Sequence, residues 1–159
     1  MIHLYTGDGK GKTCAAFGLA LRHSFYGKVL IVQFMKREVS GEVSKAKECG
    51  IVVKQFGQGF FTGENFEEHC ESVLDGLNFV RDNMKKYSLI VLDEINVVLS
   101  LKLLSLKKVL SLLDFKGEIV LTGRNAPKEL FDRADYVTVF EKLKHPFDRG
   151  VSAREGVEF

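Results

Sequence analysis

The chain has 159 residues, 45% of them hydrophobic and 28% charged. That size and balance describe one domain with a single substantial core and exclude a disordered or fibrous polypeptide. With 23 basic and 21 acidic residues the net charge is +2, too even for a protein held mainly by nucleic-acid phosphates.

The opening Met-Ile-His-Leu-Tyr has no basic leader followed by an apolar run, so no signal peptide is expected. The apolar runs Val29–Met35 and Ile95–Leu101 fall far short of the ~20 residues of a membrane-spanning helix. A cytoplasmic protein with neither membrane nor nucleic-acid partners is expected. Cys14, Cys49 and Cys70 are widely separated; they are read as small buried hydrophobes in a reducing compartment.

In chain order, strands are predicted over Ile2–Tyr5, Val29–Phe34, Ile51–Phe56, Leu89–Leu92, Glu118–Thr122 and Tyr136–Phe140. Several are apolar at consecutive positions, as strands covered on both faces are. A helix is predicted over Lys12–Phe25, with Ala15, Ala16, Phe17, Leu19, Ala20 and Leu21 clothing most of its circumference. A second helix runs from about Asn65 to Met84. Phe66, Cys70, Val73, Leu77, Val80 and Met84 line one stripe of it, and Glu67, Glu68, Glu71 and Asp75 form a solvated face. Ser105 is placed as the cap of a short helix through Leu113, and Asn125 as the cap of one beginning near Pro127. The leucine-rich stretch Leu99–Leu113 is assigned to the core, with a subunit interface as the alternative. Strands alternating with helices predict an α/β fold: a mostly parallel sheet flanked by helices. The whole of residues 1–159 forms one domain, with 142–159 as a C-terminal tail.

The densest chemistry lies in the first 14 residues. A strand is followed by Gly7-Asp8-Gly9-Lys10-Gly11-Lys12-Thr13 and then a helix, the context of a phosphate-binding P-loop. Tight glycine turns aim successive N–H groups at one anion, and the helix N-terminus adds positive charge. Lys12 reaches phosphate oxygens, Thr13 offers a hydroxyl to Mg2+, and Lys10 is a second phosphate contact. Residues Gly7, Asp8, Gly9, Lys10, Gly11, Lys12, Thr13 and Cys14 form the candidate nucleotide-binding segment. In the pattern G-x-x-x-x-G-K-[ST] the first glycine falls on Thr6.

A second half of the site is read at Leu89-Ile90-Val91-Leu92-Asp93-Glu94. A buried strand delivers carboxylates to its C-terminal edge, where ligands bind in open α/β sheets and where an acid can hold Mg2+. Arg124 follows a strand and precedes a helix, a position for a phosphate contact or a structural ion pair. These residues specify a P-loop fold binding a Mg·nucleoside triphosphate, and leave open what is done to it.

In order and spacing the motifs resemble one family, the cytosolic P-loop corrinoid adenosyltransferases. The likeness runs from the shortened glycine loop through Val32-Gln33-Phe34-Met35-Lys36, Gly59-Phe60, Leu92-Asp93-Glu94-Ile95-Asn96 and Leu121-Thr122-Gly123-Arg124. It closes with Lys144-His145-Pro146-Phe147-Asp148 and Gly156-Val157-Glu158-Phe159. The resemblance implies transfer of the 5′-deoxyadenosyl group of ATP to the reduced cobalt of a corrinoid, with triphosphate released. It implies ATP held reversed relative to ordinary P-loop enzymes, with Lys12 as the catalytic cation on the departing triphosphate. Thr13 and Glu94 are the implied Mg2+ contacts, with Asp93 close by. Phe60 and Phe61 are the implied corrinoid-binding residues, although Thr62 stands where members carry Trp. The strand begins at residue 2, so the N-terminal arm that closes over the nucleotide in many members is expected to be lacking. A homodimer and a reductase supplying cobalt(I) are implied partners. Two rival readings use the same residues: a P-loop ATPase or phosphotransferase, and a corrinoid- or nucleotide-binding protein without turnover.

Overall fold

The strands Val29–Phe34 (β2) and Leu89–Asp93 (β4) are buried at every position, which only a strand inside a sheet covered on both faces achieves. The computed structural model, which describes residues 1–38, 40–59 and 61–158, places them together in a six-stranded parallel sheet. The other strands are Ile2–Thr6 (β1), Val52–Phe56 (β3), Glu118–Thr122 (β5) and Tyr136–Val139 (β6). Their spatial order is β3-β2-β4-β5-β1-β6, and every pairing is parallel.

The helices are Lys12–Ser24 (α1), Gly41–Glu48 (α2), Phe66–Asn83 (α3), Ile95–Ser100 (α4), Leu106–Leu110 (α5) and Lys128–Arg133 (α6). Side chains alternate across each strand, so the sheet divides the core in two. On one face Ile31, Val53, Val91 and Val120 pack with Ala16, Phe17 and Ala20 of α1 and with Val43 and Ala46 of α2. On the other, Leu4, Leu30, Phe34, Ile90, Leu92 and Leu121 meet Val73, Leu77 and Val80 of α3, then Ile95, Val98, Val109 and Leu130.

The predicted strands recur within a residue at each end, and the stretch Leu99–Leu113 does enter the core through Leu99, Leu103, Leu104, Leu112 and Leu113. The acidic face of α3 is exposed as expected. Other expectations are corrected. Leu21 and Phe25 are exposed, because α1 touches the sheet along a single stripe. Cys14 and Cys49 are exposed and only Cys70 is half-buried. The fifth helix ends at Leu110 and its chain continues to Leu113 in tighter turns. The cap position of α6 is Pro127, because Asn125 instead takes a left-handed turn at φ 55°. Strand β6 is exposed at all four residues, at the edge of the sheet beside β1. Helix α2 escaped notice because it buries only Val43 and Ala46.

Candidate functional site

Parallel strands bring their C-terminal ends to one edge of the sheet, and register fixes which residues meet there. Gln33 of β2 pairs with Asp93 of β4, while Thr122 ends β5, between β4 and β1. Each is a polar residue, fully buried, at the end of an apolar strand. Asp93 is their hub. Its Oδ1 accepts from Thr13 Oγ1 at 2.9 Å and from Thr122 Oγ1 at 2.7 Å. Its Oδ2 accepts from Gln33 Nε2 at 2.9 Å and Lys36 Nζ at 3.1 Å. Four donors saturate this buried carboxylate and offset the cost of its desolvation.

The glycine loop joins β1 to α1 and lies against the chain leaving β6. The Gly9 N–H donates to Phe140 O at 2.7 Å, and a Cβ on Gly9 would stand 2.7 Å from Glu141 O. Gly7, at φ 102°, is pressed against the Phe140 backbone in the same way. Only residues without Cβ allow this approach. The Lys12 ammonium lies within the loop, donating to Gly7 O at 2.6 Å and Gly9 O at 2.8 Å. Burial holds its pKa below the ordinary lysine value, while Glu94, Asp8 and Asp93 pull upward.

Around the loop opens a cleft of about 530 Å³, the size of a small-molecule site. Asp8, Gly9, Lys10, Gly11, Lys12, Thr13, Cys14, Glu94 and Arg124 all line it, so most of the predicted nucleotide and metal residues converge. Arg124 is exposed there and bears on both Lys12 and Glu94 electrostatically. Gly7 touches the cleft through the Lys12 bond, and Asp93 lies behind its wall. Of the predicted corrinoid residues, Phe61 does not line it. Phe60 lies outside the described residues, and Phe61 is half-buried against the core, edge-on to Phe66 and His69 at 6.0 and 5.1 Å.

Glu94 caps the N-terminus of α4 with φ 64°, its N–H fixed on Thr122 Oγ1 at 3.0 Å. Burial and then the neighbouring Asp93 raise its pKa, with Lys36, Lys12 and Arg124 opposing. Its carboxylate accepts no hydrogen bond among the described residues. A free carboxylate beside a hydroxyl suits Mg2+, which takes hard oxygen donors and fills its shell with phosphate and water. No group of three or more His, Cys, Asp or Glu that could hold a metal ion exists among the described residues.

Several cleft residues had no assigned role in the sequence reading. Lys36 and Glu42 line it, as do His145, Gly156, Val157 and Glu158 of the tail. Lys10 Nζ donates to Val157 O at 2.8 Å and Glu158 Oε1 at 2.9 Å. Arg154 also binds Glu158, and these partners hold its carboxyl down to about 2. The signal available beforehand for the buried hub was Gln33 and Thr122, polar residues interrupting otherwise apolar strands.

Among the described residues no helix is long and apolar enough to cross a membrane. A sequence model described as "ATP:corrinoid adenosyltransferase BtuR/CobO/CobP" matches residues 1–159. The chain is 34% identical to a corrinoid adenosyltransferase of Sinorhizobium sp, an alignment covering all of this chain and 80% of that protein. It is 33% identical to the corrinoid adenosyltransferase CobA of Salmonella typhimurium and 30% identical to a corrinoid adenosyltransferase of Escherichia coli K12, covering all of this chain and 85% of each relative. With the cleft these matches lead to one conclusion: the chain belongs to the ATP:corrinoid adenosyltransferase family and is an enzyme that moves the adenosyl group of ATP onto a corrinoid.

Proposed function

We propose that the cleft grips the polyphosphate of Mg-ATP, that the reduced cobalt of a corrinoid attacks C5′ of the ribose, and that triphosphate departs whole. The convergence of Lys10, Lys12, Arg124 and the loop N–H groups with a Glu94 carboxylate unpaired among the described residues carries this reading. The attacking electron pair belongs to cobalt, so the protein needs no general base. Its residues position the substrate and stabilise charge on the leaving group.

Lys12 exchanges its loop carbonyls for phosphate oxygens, and the N–H groups of Gly11 and Thr13 face the same anion. Mg2+, when bound, supplies further positive charge against the phosphates. Thr13 and Glu94 would hold it, with Asp93 fixing Thr13 from behind. Arg124 adds charge from the exposed rim. The aromatic pair Phe61 and Phe66 offers an apolar bed for the corrinoid, and Phe60 is the further corrinoid contact proposed from sequence. A homodimer working in the cytoplasm with a cobalt reductase completes the proposal.

The test is incubation of the protein with Mg-ATP and chemically reduced cobalamin, following the cobalt spectrum and the phosphate product. An adenosylated corrinoid with one equivalent of triphosphate is expected. ADP formed at the same rate without corrinoid would overturn the proposal.

A further inference from the structure

Lys36 lines the cleft together with the glycine loop, Glu94 and the tail. It follows Met35, a buried residue that leaves β2 in the left-handed region at φ 58°. The Met35 N–H is tied to Phe56 O at 2.9 Å, and Gly57 packs so closely that a Cβ there would stand 2.5 Å from Met35 Cα. Positive φ at a non-glycine residue is costly and persists only where the surroundings impose it. The turn directs the Lys36 side chain back over the C-terminal edge of the sheet, onto Asp93 Oδ2.

Neutralising a buried carboxylate accounts for one of the three N–H groups of an ammonium. Among the described residues Lys36 makes no other hydrogen bond. Lys12 and Lys10, by contrast, each already satisfy two protein oxygens. The Lys36 side chain is 31% exposed and lines the same cleft as Lys12, Thr13 and Glu94. Burial opposes its charge, but Asp93 and Glu94 outweigh burial and hold the ammonium protonated.

We infer that Lys36 is a further polyphosphate-contacting residue: its free N–H groups take oxygens of the triphosphate while Asp93 fixes where the ammonium stands. This rests on the reading that polyphosphate occupies the cleft. As the cobalt electron pair forms the cobalt–carbon bond, the pair of the C5′–O bond leaves with the triphosphate oxygen. No proton is exchanged, and a cation already in place meets the new charge without rearranging.

Inorganic tripolyphosphate without metal, titrated calorimetrically into the nucleotide-free protein, tests the inference separately from catalysis. Lys36→Met is expected to weaken binding about 10–100-fold, the range of a lost charge-assisted hydrogen bond, and Lys36→Arg to recover most of it. In the wild type, tripolyphosphate should shield Lys36 from an amine-acylating reagent, read by peptide mass spectrometry, so a poorly folding variant does not decide the matter. Binding by folded Lys36→Met within twofold of wild type, or Lys36 acylated equally with and without tripolyphosphate, overturns the inference. If Lys12→Ala also leaves tripolyphosphate binding untouched, the reading of the cleft itself fails, a result distinct from the failure of Lys36 alone.

Discussion

The Thr13 hydroxyl donates to Asp93 Oδ1 across 2.9 Å, tying the first turn of α1 to the end of β4, 80 residues later. Thr13→Val keeps the shape and removes the donor. It should lower stability by about 1 kcal/mol and abolish the magnesium dependence of ATP binding, whereas Thr13→Ser retains both. Denaturation and calorimetry with and without Mg2+ check the pair.

Lys12→Ala removes the loop ammonium and should lower the rate of adenosyl transfer by about 10²–10³, as loss of one preorganised charge typically does. The fold should persist, because α1 is held through Ala16, Phe17 and Ala20. Single-turnover kinetics beside circular dichroism separates the two effects.

Glu94 carries a raised pKa, caused first by burial and then by Asp93. The folded protein therefore holds this proton more tightly than the unfolded chain. The favourable contribution is complete below the ordinary carboxylate value and is lost as pH rises through the folded pKa. Glu94→Gln should accordingly melt higher than the wild type at pH 8, with the difference closing as pH falls toward 4. It should also bind Mg-ATP more weakly at pH 8. A melting series across pH reads the first outcome; equal melting temperatures at pH 8 would contradict it.

Gly9→Ala forces a Cβ onto the Glu141 backbone. Loop or edge strand must shift, and a loss of roughly 1–3 kcal/mol is expected, as for other steric strain in the backbone. ATP affinity should fall with it. Gly18→Ala is the control, since nothing lies within 4 Å of a Cβ there and alanine favours the helix.

Glu158→Ala removes the tail's internal pair with Arg154 and leaves Lys10 only its bond to Val157 O. Hydrogen exchange over residues 154–158 should accelerate, while the protection of β2 and β4 stays unchanged. In the wild type the depressed pKa keeps the carboxylate charged under all ordinary conditions. That contribution is present above the usual carboxylate value and is lost only as pH falls toward about 2.

The sheet was legible because burial on both faces leaves uninterrupted apolar strands, and Val29–Phe34 and Glu118–Thr122 were placed without error. The glycine loop was legible because phosphate binding constrains consecutive residues. Lys36 and Glu158 were not, since each acquires its partner by a turn: Lys36 through the φ of Met35, and Glu158 through a tail that crosses back to Lys10. Local pattern carries no trace of either path. Cys14 was misjudged because composition favours buried thiols, whereas its position in the first turn of α1 faces the cleft.

The glycine loop presses against main chain at residues 140 and 141, and the strand before them is exposed at the edge of the sheet. The mould that shapes the anion nest is thus a piece of bare polypeptide more than a hundred residues downstream. Transplanting the first 14 residues into a foreign scaffold would carry the motif without its mould. Drift at 140 and 141, in turn, is constrained through the route of the backbone there more than through side-chain identity.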